Sequence, residues 1–410
     1  MARETACRSC DSTAIEPILS LGDVPLANAI LTREQLALPE ARFPLDLVFC
    51  RECSLVQITE TVPPEQLFSD YPYFSSFSDT MVSHARELVG REVQARRLDG
   101  QSLAAEVASN DGYLLQFYAQ AGIPVLGIEP AANVAVAARE RGVRTVCEFF
   151  GAQVGERLAR EYGRTDVIHA NNVLAHVADL NGVVQGFCRL IKDGGAVIVE
   201  APYVGDMIAG GEFDTIYHEH LCYFSLTALV GLFARHGLTI YDVERLEIHG
   251  GSLRIHASTE RSAPPQSARV LALLEEEQRA GISRSEFYQG FAERVSRLKR
   301  DLRTMLDQLR GSGKRIAAYG ASAKGTTLLN YFGIDGDTLE FVADRSTVKQ
   351  GHFTPGTHLP IRPPEALLEE RPDYVLLLTW NFADEILRQQ DAFRQQGGRF
   401  IIPIPELRIV

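Results

Sequence analysis

Tyr217, His218, Glu219 and His220 occupy four consecutive positions and crowd side chains suited to proton transfer into one short segment. An imidazole titrates near neutral pH and takes a proton from carbon or oxygen, while a neighbouring carboxylate or phenol orients it. In an extended segment, Tyr217 and Glu219 share one face, and His218 and His220 share the other. Two alternatives stay open: a metal site, because His-x-His is also a ligand spacing, and a polar strand near a domain interface.

Two CxxC pairs stand near the start of the chain, Cys7 with Cys10 and Cys50 with Cys53. Four thiolates on two tight turns form the tetrahedral sulfur shell that zinc favours, and such a shell leaves no coordination position for a substrate or water. The spacing therefore predicts a structural zinc in a small N-terminal module. A redox dithiol is the alternative.

The composition is typical of a globular protein of two or three domains, with 45% hydrophobic and 23% charged residues. No apolar run approaches the roughly 20 residues that span a bilayer, and the first residues lack the apolar core of a secretory signal. We therefore expect a cytoplasmic protein with reduced cysteines and no membrane segment. The formal net charge of −12 argues against a nucleic-acid-binding protein, because such binding relies on a basic surface.

Alternating strand and helix patterns begin at Leu103 and predict a parallel sheet with a ligand crevice at the carboxyl ends of its strands. The turn after the first strand contains Asn110 and Gly112, but it is not the GxGxxG sequence that wraps a pyrophosphate. The second strand ends at Glu129, where a carboxylate accepts hydrogen bonds from ribose hydroxyls. These features favour an adenosine ligand without a diphosphate, and S-adenosylmethionine is the natural candidate.

Aromatic and amide side chains come after the next two strands of the same pattern. Phe149 and Phe150 come after the third strand, where a ring is able to lie against an adenine, and packing in the core is the alternative. Asn171 and Asn172 end the fourth strand and are expected to face the crevice. The residues assigned to the donor site are Glu106, Ser109, Asn110, Gly112, Tyr113, Glu129, Pro130, Phe149, Asn171 and Asn172.

A second strand-turn-helix unit lies in the last third of the chain, behind one long amphipathic helix predicted over residues 284–310. Its strand covers residues 315–319, and a turn of glycine and small residues covers 320–325. Backbone N–H groups at such a helix start, together with Lys324, suit a phosphate. An NAD-binding unit begins in the same way, although GxGxxG is missing here too.

The order of these motifs resembles that of the sugar C-methyltransferases that act on nucleotide-linked 4-keto-deoxysugars in antibiotic pathways. The resemblance is carried by EVASNDGYLL, IEP, HANNVLAHV, IKDGGAVIVEAPY and YHEHLCYFS behind the CxxC pairs, and it covers essentially the whole chain. It implies an α/β fold in three parts: a zinc-binding module over residues 1–70, a class I, Rossmann-like methyltransferase domain over 71–281, and a linker helix with an α/β nucleotide-binding domain over 282–410.

The same resemblance implies that His220 is a general base acting on a 4-keto-deoxysugar linked to deoxythymidine diphosphate. The supporting site residues are Glu219, Tyr217, His176 and a tyrosine of YPYFSS, for which Tyr71 is preferred over Tyr73. The residues assigned to the sugar nucleotide are Tyr319, Gly320, Ser322, Lys324, Gly325, Thr326, Asp344, Lys349, Trp380 and Asn381.

Alternatives remain for several of these assignments. Trp380 is also suited to interface packing, and Lys349 to a solvated surface. The resemblance places residues 249–258 near the active site, whereas a tight hairpin is favoured for Gly250 and Gly251. For the whole chain, the alternatives are an NAD-dependent sugar-nucleotide oxidoreductase or epimerase and a zinc-containing RNA-binding or scaffold protein.

Overall fold

In the computed structural model, which describes residues 2–64, 67 and 74–410, the chain builds an N-terminal four-stranded, a central seven-stranded and a C-terminal six-stranded sheet. The N-terminal strands are β1 (Ala2–Arg3), β2 (Ile15–Pro25), β3 (Arg42–Cys50), β4 (Val56–Ile58) and β5 (Glu60–Thr61). β1 pairs with β5, whereas β2, β3 and β4 form one antiparallel sheet.

The fourth strand of this N-terminal sheet comes from the middle of the chain. It is β11 (Cys222–Tyr223), which pairs antiparallel with β4 so that Cys222 lies opposite Gln57 and Tyr223 opposite Val56. Both residues of β11 are buried. Because β11 starts only two residues after His220, the N-terminal sheet fixes one end of the histidine-rich segment.

The central sheet has the strand order β12-β13-β10-β9-β6-β7-β8. Its strands are β6 (Ala104–Val107), β7 (Val125–Ile128), β8 (Thr145–Val146), β9 (Thr165–Asn171), β10 (Ile191–Pro202), β12 (Leu238–Leu246) and β13 (Ser252–Thr259). The strands from β10 to β8 are parallel, and β13 is antiparallel to both of its neighbours. The strand order reverses between β6 and β9, so a ligand crevice is expected at their carboxyl ends.

Helices cover this sheet and connect it to the C-terminal domain. They are α1 (Asp79–Arg96), α2 (Leu115–Gln120), α3 (Ala132–Glu140), α4 (Ala152–Tyr162), α5 (Leu180–Leu190), α6 (Val204–Gly210), α7 (Leu226–Ala234), α8 (Ala268–Ala280) and α9 (Glu286–Gly311). Short 3-10 helices cover Gln35–Ala37, Ser75–Phe77, Leu174–His176, Phe213–Thr215, Ile248–Gly250 and Trp380–Phe382. The long helix predicted over residues 284–310 is confirmed by α9, which buries Tyr288, Phe291, Val295, Leu302 and Leu306.

Helix α1 is held on the sheet by buried charges. His84 lies 3.0 Å from the carboxylate of Glu200 on β10, and the Nε of Arg254 on β13 donates to the same carboxylate at 2.6 Å. Glu200 and Arg254 are almost fully buried, so each charge depends on the other for compensation. This ion pair fixes the start of α1 near the carboxyl end of β10.

The loop between β12 and β13 closes a tight hairpin, as the sequence predicted for Gly250 and Gly251. Gly250 and Gly251 have φ of +92° and +120°, and a Cβ on them would lie 2.5 Å from Glu212 and 2.4 Å from Asp206. Only glycine adopts such a positive φ readily and has no Cβ to clash with these carboxylates. Arg254 and His256 come next, on buried β13.

The C-terminal sheet has the order β16-β15-β14-β17-β18-β19, parallel from β16 to β18 with β19 antiparallel at its edge. Its elements are β14 (Ile316–Tyr319), α10 (Ala323–Phe332), β15 (Val342–Ala343), β16 (Ile361–Arg362), α11 (Ala366–Glu370), β17 (Tyr374–Leu377), α12 (Ala383–Gln389), α13 (Asp391–Gln395), β18 (Arg399–Ile402) and β19 (Arg408–Ile409). Its order reverses between β14 and β17. The predicted three-part α/β fold is confirmed, and the domain limits at residues 70 and 281 stay a prediction.

Candidate active site

Residues 217–220, called here the YHEH turn, are not extended. The backbone N–H of His220 donates to the carbonyl of Tyr217 at 2.8 Å and closes a turn. The face assignment expected for an extended segment is therefore wrong. The turn brings Tyr217 and His220 to the same side, and the Tyr217 hydroxyl lies 2.8 Å from Nε2 of His220.

The hydrogen bonds of His220 fix which ring nitrogen is basic. Its Nδ1 lies 3.0 Å from the carbonyl oxygen of Thr215. A carbonyl only accepts, so Nδ1 carries the proton and Nε2 of the neutral ring presents its lone pair to the Tyr217 hydroxyl. The hydroxyl of buried Tyr223 also donates to the Thr215 carbonyl, at 3.3 Å. His220 is thereby held in one tautomer, with its basic nitrogen beside a phenol.

The other histidines of the region have separate surroundings. The ring of His176 lies 4.8 Å from that of His220, and desolvation lowers the pKa of His176 to about 4, so it is neutral at pH 7. His218 is buried on the opposite side, where Nε2 contacts the carbonyl of Pro44 at 3.0 Å. Because His218 and His220 bind different carbonyls, they do not form the metal-ligand face that His-x-His spacing allowed.

Glu219 completes the turn. Its side chain is buried, and the side-chain amide of Asn28 donates to its Oε1 at 2.7 Å. Burial raises the pKa of Glu219, and the hydrogen bond from Asn28 opposes that rise. Tyr71 and its alternative Tyr73 lie outside the described residues.

One cavity of about 750 Å³ joins the central sheet, the YHEH turn and the C-terminal domain. The predicted site residues in its wall are Asn110, Tyr113, Glu129, Pro130, Phe149, Asn171, Asn172, His176, Tyr217, Glu219, His220, Ser322, Lys324, Lys349 and Asn381. The predicted site residues that lie behind this wall are Glu106, Ser109, Gly112, Tyr319, Gly320, Gly325, Thr326, Asp344 and Trp380. Residues far apart in the chain thus line one cavity.

The half of the cavity that contains the predicted donor residues, called here the donor half, is organised around Glu129, directly after β7. Its Oε2 accepts from the backbone N–H of Asn110 at 2.8 Å and its Oε1 from that of Ala131 at 2.9 Å. Each oxygen keeps a further lone pair for a ribose hydroxyl. Burial raises the pKa of Glu129, and it raises that of the fully buried Glu106 behind it well above the ordinary value.

Gly112, Ser109 and Phe149 show why the donor turn has its shape. Gly112 has φ of +78°, and a Cβ there would meet Val143 at 2.8 Å, so it supports the turn from behind. Ser109 is buried against Gly127. Phe149 is 41% exposed at the cavity, whereas Phe150 stacks on Phe187. Phe150 also lines the cavity, so its ring belongs to both the core packing and the cavity wall.

The C-terminal half of the cavity begins at Ser322, whose side chain caps α10 by accepting from the Gly325 N–H at 3.1 Å. A Cβ on Gly320 would lie 2.6 Å from Thr379, and one on Gly325 would lie 2.9 Å from Leu378. These glycines allow the turn to pack against the loop after β17. Their role in the structure is close packing behind the cavity wall.

One carboxylate and one ammonium group hold the same turn. Asp344 accepts from the backbone N–H groups of Ala321 and Ser346, both at 2.7 Å. The ammonium of Lys349 donates to the carbonyl of Ala321 at 2.7 Å, so Lys349 is not a solvated surface charge. Thr326 is buried in α10.

Lys324 forms a cationic corner of the cavity, with Trp380 behind it. The ammonium of Lys324 lies 4.6 Å from the centre of the Trp380 ring and 3.9 Å from the carboxylate of Glu212. Trp380 is buried and donates to Asp214 at 2.7 Å, which ties the two domains together and agrees with interface packing. Desolvation raises the pKa of Glu212 to about 7 and that of Asp214 to about 6.

The four cysteines of the two CxxC pairs form the candidate metal centre. Their sulfur atoms lie within 4.8 Å of one another, with 3.4 Å between Cys7 and Cys53 and 3.6 Å between Cys10 and Cys50. Sulfurs in a tetrahedral zinc shell are ~3.8 Å apart, so this set fits the ion.

Within the described ranges, none of the helices is long and apolar enough to cross a membrane.

Three family models match consecutive parts of the chain. They are a zinc binding domain over residues 7–68, a methyltransferase domain over 95–243 and a C-methyltransferase C-terminal domain over 247–405. The C-methyltransferase NovU of Streptomyces niveus is 37% identical over 404 residues, which is 98% of this chain and 96% of NovU. The chain belongs to the C-methyltransferase family.

The other similar proteins described here match only part of this chain. The ubiquinone biosynthesis O-methyltransferase of Bordetella avium (strain 197N) is 29% identical over 131 residues, 32% of this chain and 52% of that protein. The magnesium protoporphyrin IX methyltransferase of Synechocystis PCC 6803 with bound SAM covers 44% of this chain and 82% of its own, at 16% identity and a TM-score of 0.34. The glycopeptide N-methyltransferase MtfA complexed with S-adenosylmethionine covers 46% and 96%, at 12% identity and a TM-score of 0.34.

The predicted S-adenosylmethionine-dependent C-methyltransferase and its zinc-binding module are thus confirmed. Family membership decides against the oxidoreductase, epimerase and RNA-binding alternatives. The individual roles of the site residues stay predictions. Asn28 and the carbonyl of Thr215 belong to this C-methyltransferase site but were missed, because no local motif marks a loop amide or a backbone carbonyl.

Proposed function

We propose that this C-methyltransferase moves a methyl group from S-adenosylmethionine to C3 of a 4-keto-deoxysugar linked to deoxythymidine diphosphate. The observation that carries the proposal is the position of the His220 Nε2, which faces the Tyr217 hydroxyl where the donor half and the C-terminal half of one cavity meet. Methylation of a sugar carbon requires a carbanion. The hydrogens beside a ketone are the ones acidic enough to be removed by an imidazole.

His220 takes the C3 proton through Nε2, and the electron pair of the broken C–H bond moves into an enolate with its charge on the C4 oxygen. Nδ1 keeps its proton and continues to donate it to the Thr215 carbonyl, so the protonated ring keeps its orientation. Tyr217 gives up its hydrogen bond to Nε2 and donates to the C4 oxygen, with His176 close by. His220 afterwards releases the proton to solvent.

The donor supplies a sulfonium methyl that is already activated. C3 forms the new bond to this methyl while the carbon-sulfur bond breaks and its electron pair returns to sulfur. The chain therefore contributes mainly proximity: Glu129 and Asn110 orient the donor, and Lys324 and the α10 start hold the diphosphate on the other side. The shared cavity supports this arrangement because both sets of residues line it.

The experiment that tests the proposal replaces His220. His220→Asn keeps a polar side chain but cannot accept the proton, so turnover should fall by roughly two to four orders of magnitude while both ligands still bind. With sugar nucleotide in deuterated water and a non-reactive donor analogue, wild type should incorporate deuterium at C3 and the variant should not. His236→Asn, outside the cavity, is the matched control. Near-normal turnover of His220→Asn would move the base to His176, Glu219 or a tyrosine.

A further inference from the structure

The YHEH turn is attached to the zinc-binding module by several independent contacts. The N–H of Ile58 on β4 donates to the carbonyl of Leu221 at 3.0 Å, just before the pairing of β4 with β11. His218 contacts the carbonyl of Pro44 at 3.0 Å, and its ring meets that of Phe43 edge-on. The module therefore holds the backbone of the turn and one of its side chains.

Asn28 adds a contact that reaches the cavity itself. It lies in the exposed loop after β2, 191 residues before Glu219 in the chain, and its side-chain amide donates to Oε1 of Glu219 at 2.7 Å. Both residues line the cavity. Among the described residues, Asn28 is the side chain that donates a hydrogen bond to this carboxylate.

The surroundings of Glu219 make this donor important. Its carboxylate is buried, and the positive charge of Lys349 in the C-terminal domain lowers its pKa. The backbone of Glu219 hydrogen-bonds with His176. Tyr217 and His220 are its neighbours in the turn. A buried carboxylate with one hydrogen-bond donor depends strongly on that donor for its orientation and its ionisation.

We infer that Asn28 is a positioning residue of the active site, through which the zinc-binding module fixes the carboxylate of Glu219 beside His220. The module then has a part in turnover as well as in stability. This inference depends on the proposed function for the role of His220, but the contact between Asn28 and Glu219 does not.

The test compares Asn28→Leu, which has the same branched arrangement of side-chain heavy atoms but no donor, with Asn28→Gln, which keeps an amide. In Asn28→Leu, the titration midpoint of Glu219 should rise by about one to two pH units, the effect of one hydrogen bond to a charged group. Turnover at neutral pH should fall about tenfold as the carboxylate next to His220 in the turn loses its orientation. Donor affinity should stay unchanged, and Asn28→Gln should recover part of the loss.

The matched control is Asn181→Ala. Asn181 also bridges two domains, donating to the carbonyls of Arg8 and Ser9 in the zinc-binding module, but it does not line the cavity. Its removal should lower thermal stability and leave the Glu219 midpoint in place. A merely structural role for Asn28 would give the same result as this control.

The readout in the ligand-free protein is carbon-13 NMR of labelled glutamate carboxyls, with the Glu219 signal identified by its loss in Glu219→Gln. An unchanged Glu219 midpoint in Asn28→Leu overturns the inference, whatever the substrate. An absence of methyl transfer by wild type to the keto-sugar nucleotide overturns the proposed function instead. The shift of the midpoint would still be measured in that case.

Discussion

The central and the C-terminal sheets each present a strand-turn-helix unit to the same cavity, and the two units use a carboxylate in the same way. Glu129, at the end of β7, bridges the backbone N–H groups of Asn110 and Ala131. Asp344, just after β15, bridges those of Ala321 and Ser346. In both units the carboxylate joins the turn after one strand to the turn after its neighbour.

The two units differ in how the helix begins after the turn. In the donor unit, α2 begins at Leu115, well after the polar turn, and Glu129 itself faces the cavity. In the C-terminal unit, α10 begins at Ala323 directly behind its cap Ser322, and Lys324 stands in its first turn. Helix N-termini and ammonium groups favour anions, whereas an acidic wall suits ribose hydroxyls and a cationic sulfonium. This difference agrees with the proposed arrangement, in which the first side binds a cationic donor and the second a diphosphate.

The largest effect is expected from a substitution in the zinc-binding module. This module belongs to neither strand-turn-helix unit and holds the YHEH turn between them. Cys50→Ser should lower the unfolding temperature markedly and abolish stoichiometric zinc, because loss of a structural metal removes several kcal/mol of folding free energy. Elemental analysis and calorimetry are the measurements. Cys147→Ser, at an exposed cysteine, is the control and should leave both unchanged. A metal-free protein of normal stability would contradict the structural zinc.

The donor side should respond most to Glu129. Glu129→Ala should weaken S-adenosylmethionine binding by roughly 1.5–3 kcal/mol, the range for hydrogen bonds to a charged group, and leave sugar-nucleotide binding unchanged. Because burial raises the pKa of Glu129, lowering the pH toward that pKa protonates the acceptor and should weaken donor binding. Glu129→Gln should remove this pH dependence in calorimetric titrations. Unchanged donor affinity in Glu129→Ala would move the adenosine site elsewhere.

The C-terminal side should respond to Lys324, by a smaller amount because Glu212 already lies 3.9 Å from its ammonium. Lys324→Ala should raise the Michaelis constant for the sugar nucleotide about tenfold, reduce the salt dependence of its binding, and leave donor affinity nearly untouched. Lys314→Ala, at an exposed lysine of the same domain, should change neither. If donor affinity fell instead, the two ligand sites would have to be exchanged.

The sequence predicted features with a local signal better than features that depend on contacts between distant parts of the chain. The cluster of four cysteines and the position of Glu129 at a strand end in the cavity wall were predicted because their signals are local: a CxxC spacing and a strand end. Residues 217–220 were also singled out, but their turn was not predicted, since its shape depends on β11 joining the N-terminal sheet, a pairing between residues 56–57 and 222–223. Asn28 was missed for the same reason, because its partner Glu219 is distant in the chain.

The smallest effects are expected from truncating two exposed aromatic rings, one in each half of the cavity. Phe149 is 41% exposed on the donor side, and Phe382 is 47% exposed on the C-terminal side. A ring that stacks on a ligand contributes about 0.5–1.5 kcal/mol, so truncation should weaken binding by roughly two- to tenfold. Phe149→Ala should weaken the donor alone and Phe382→Ala the sugar nucleotide alone, as measured by calorimetry with each ligand separately. Each variant is the control for the other. If both truncations weakened the same ligand, the cavity would have one adaptable wall, and the assignment of a cationic donor and an anionic diphosphate to opposite strand-turn-helix units would lose its aromatic support.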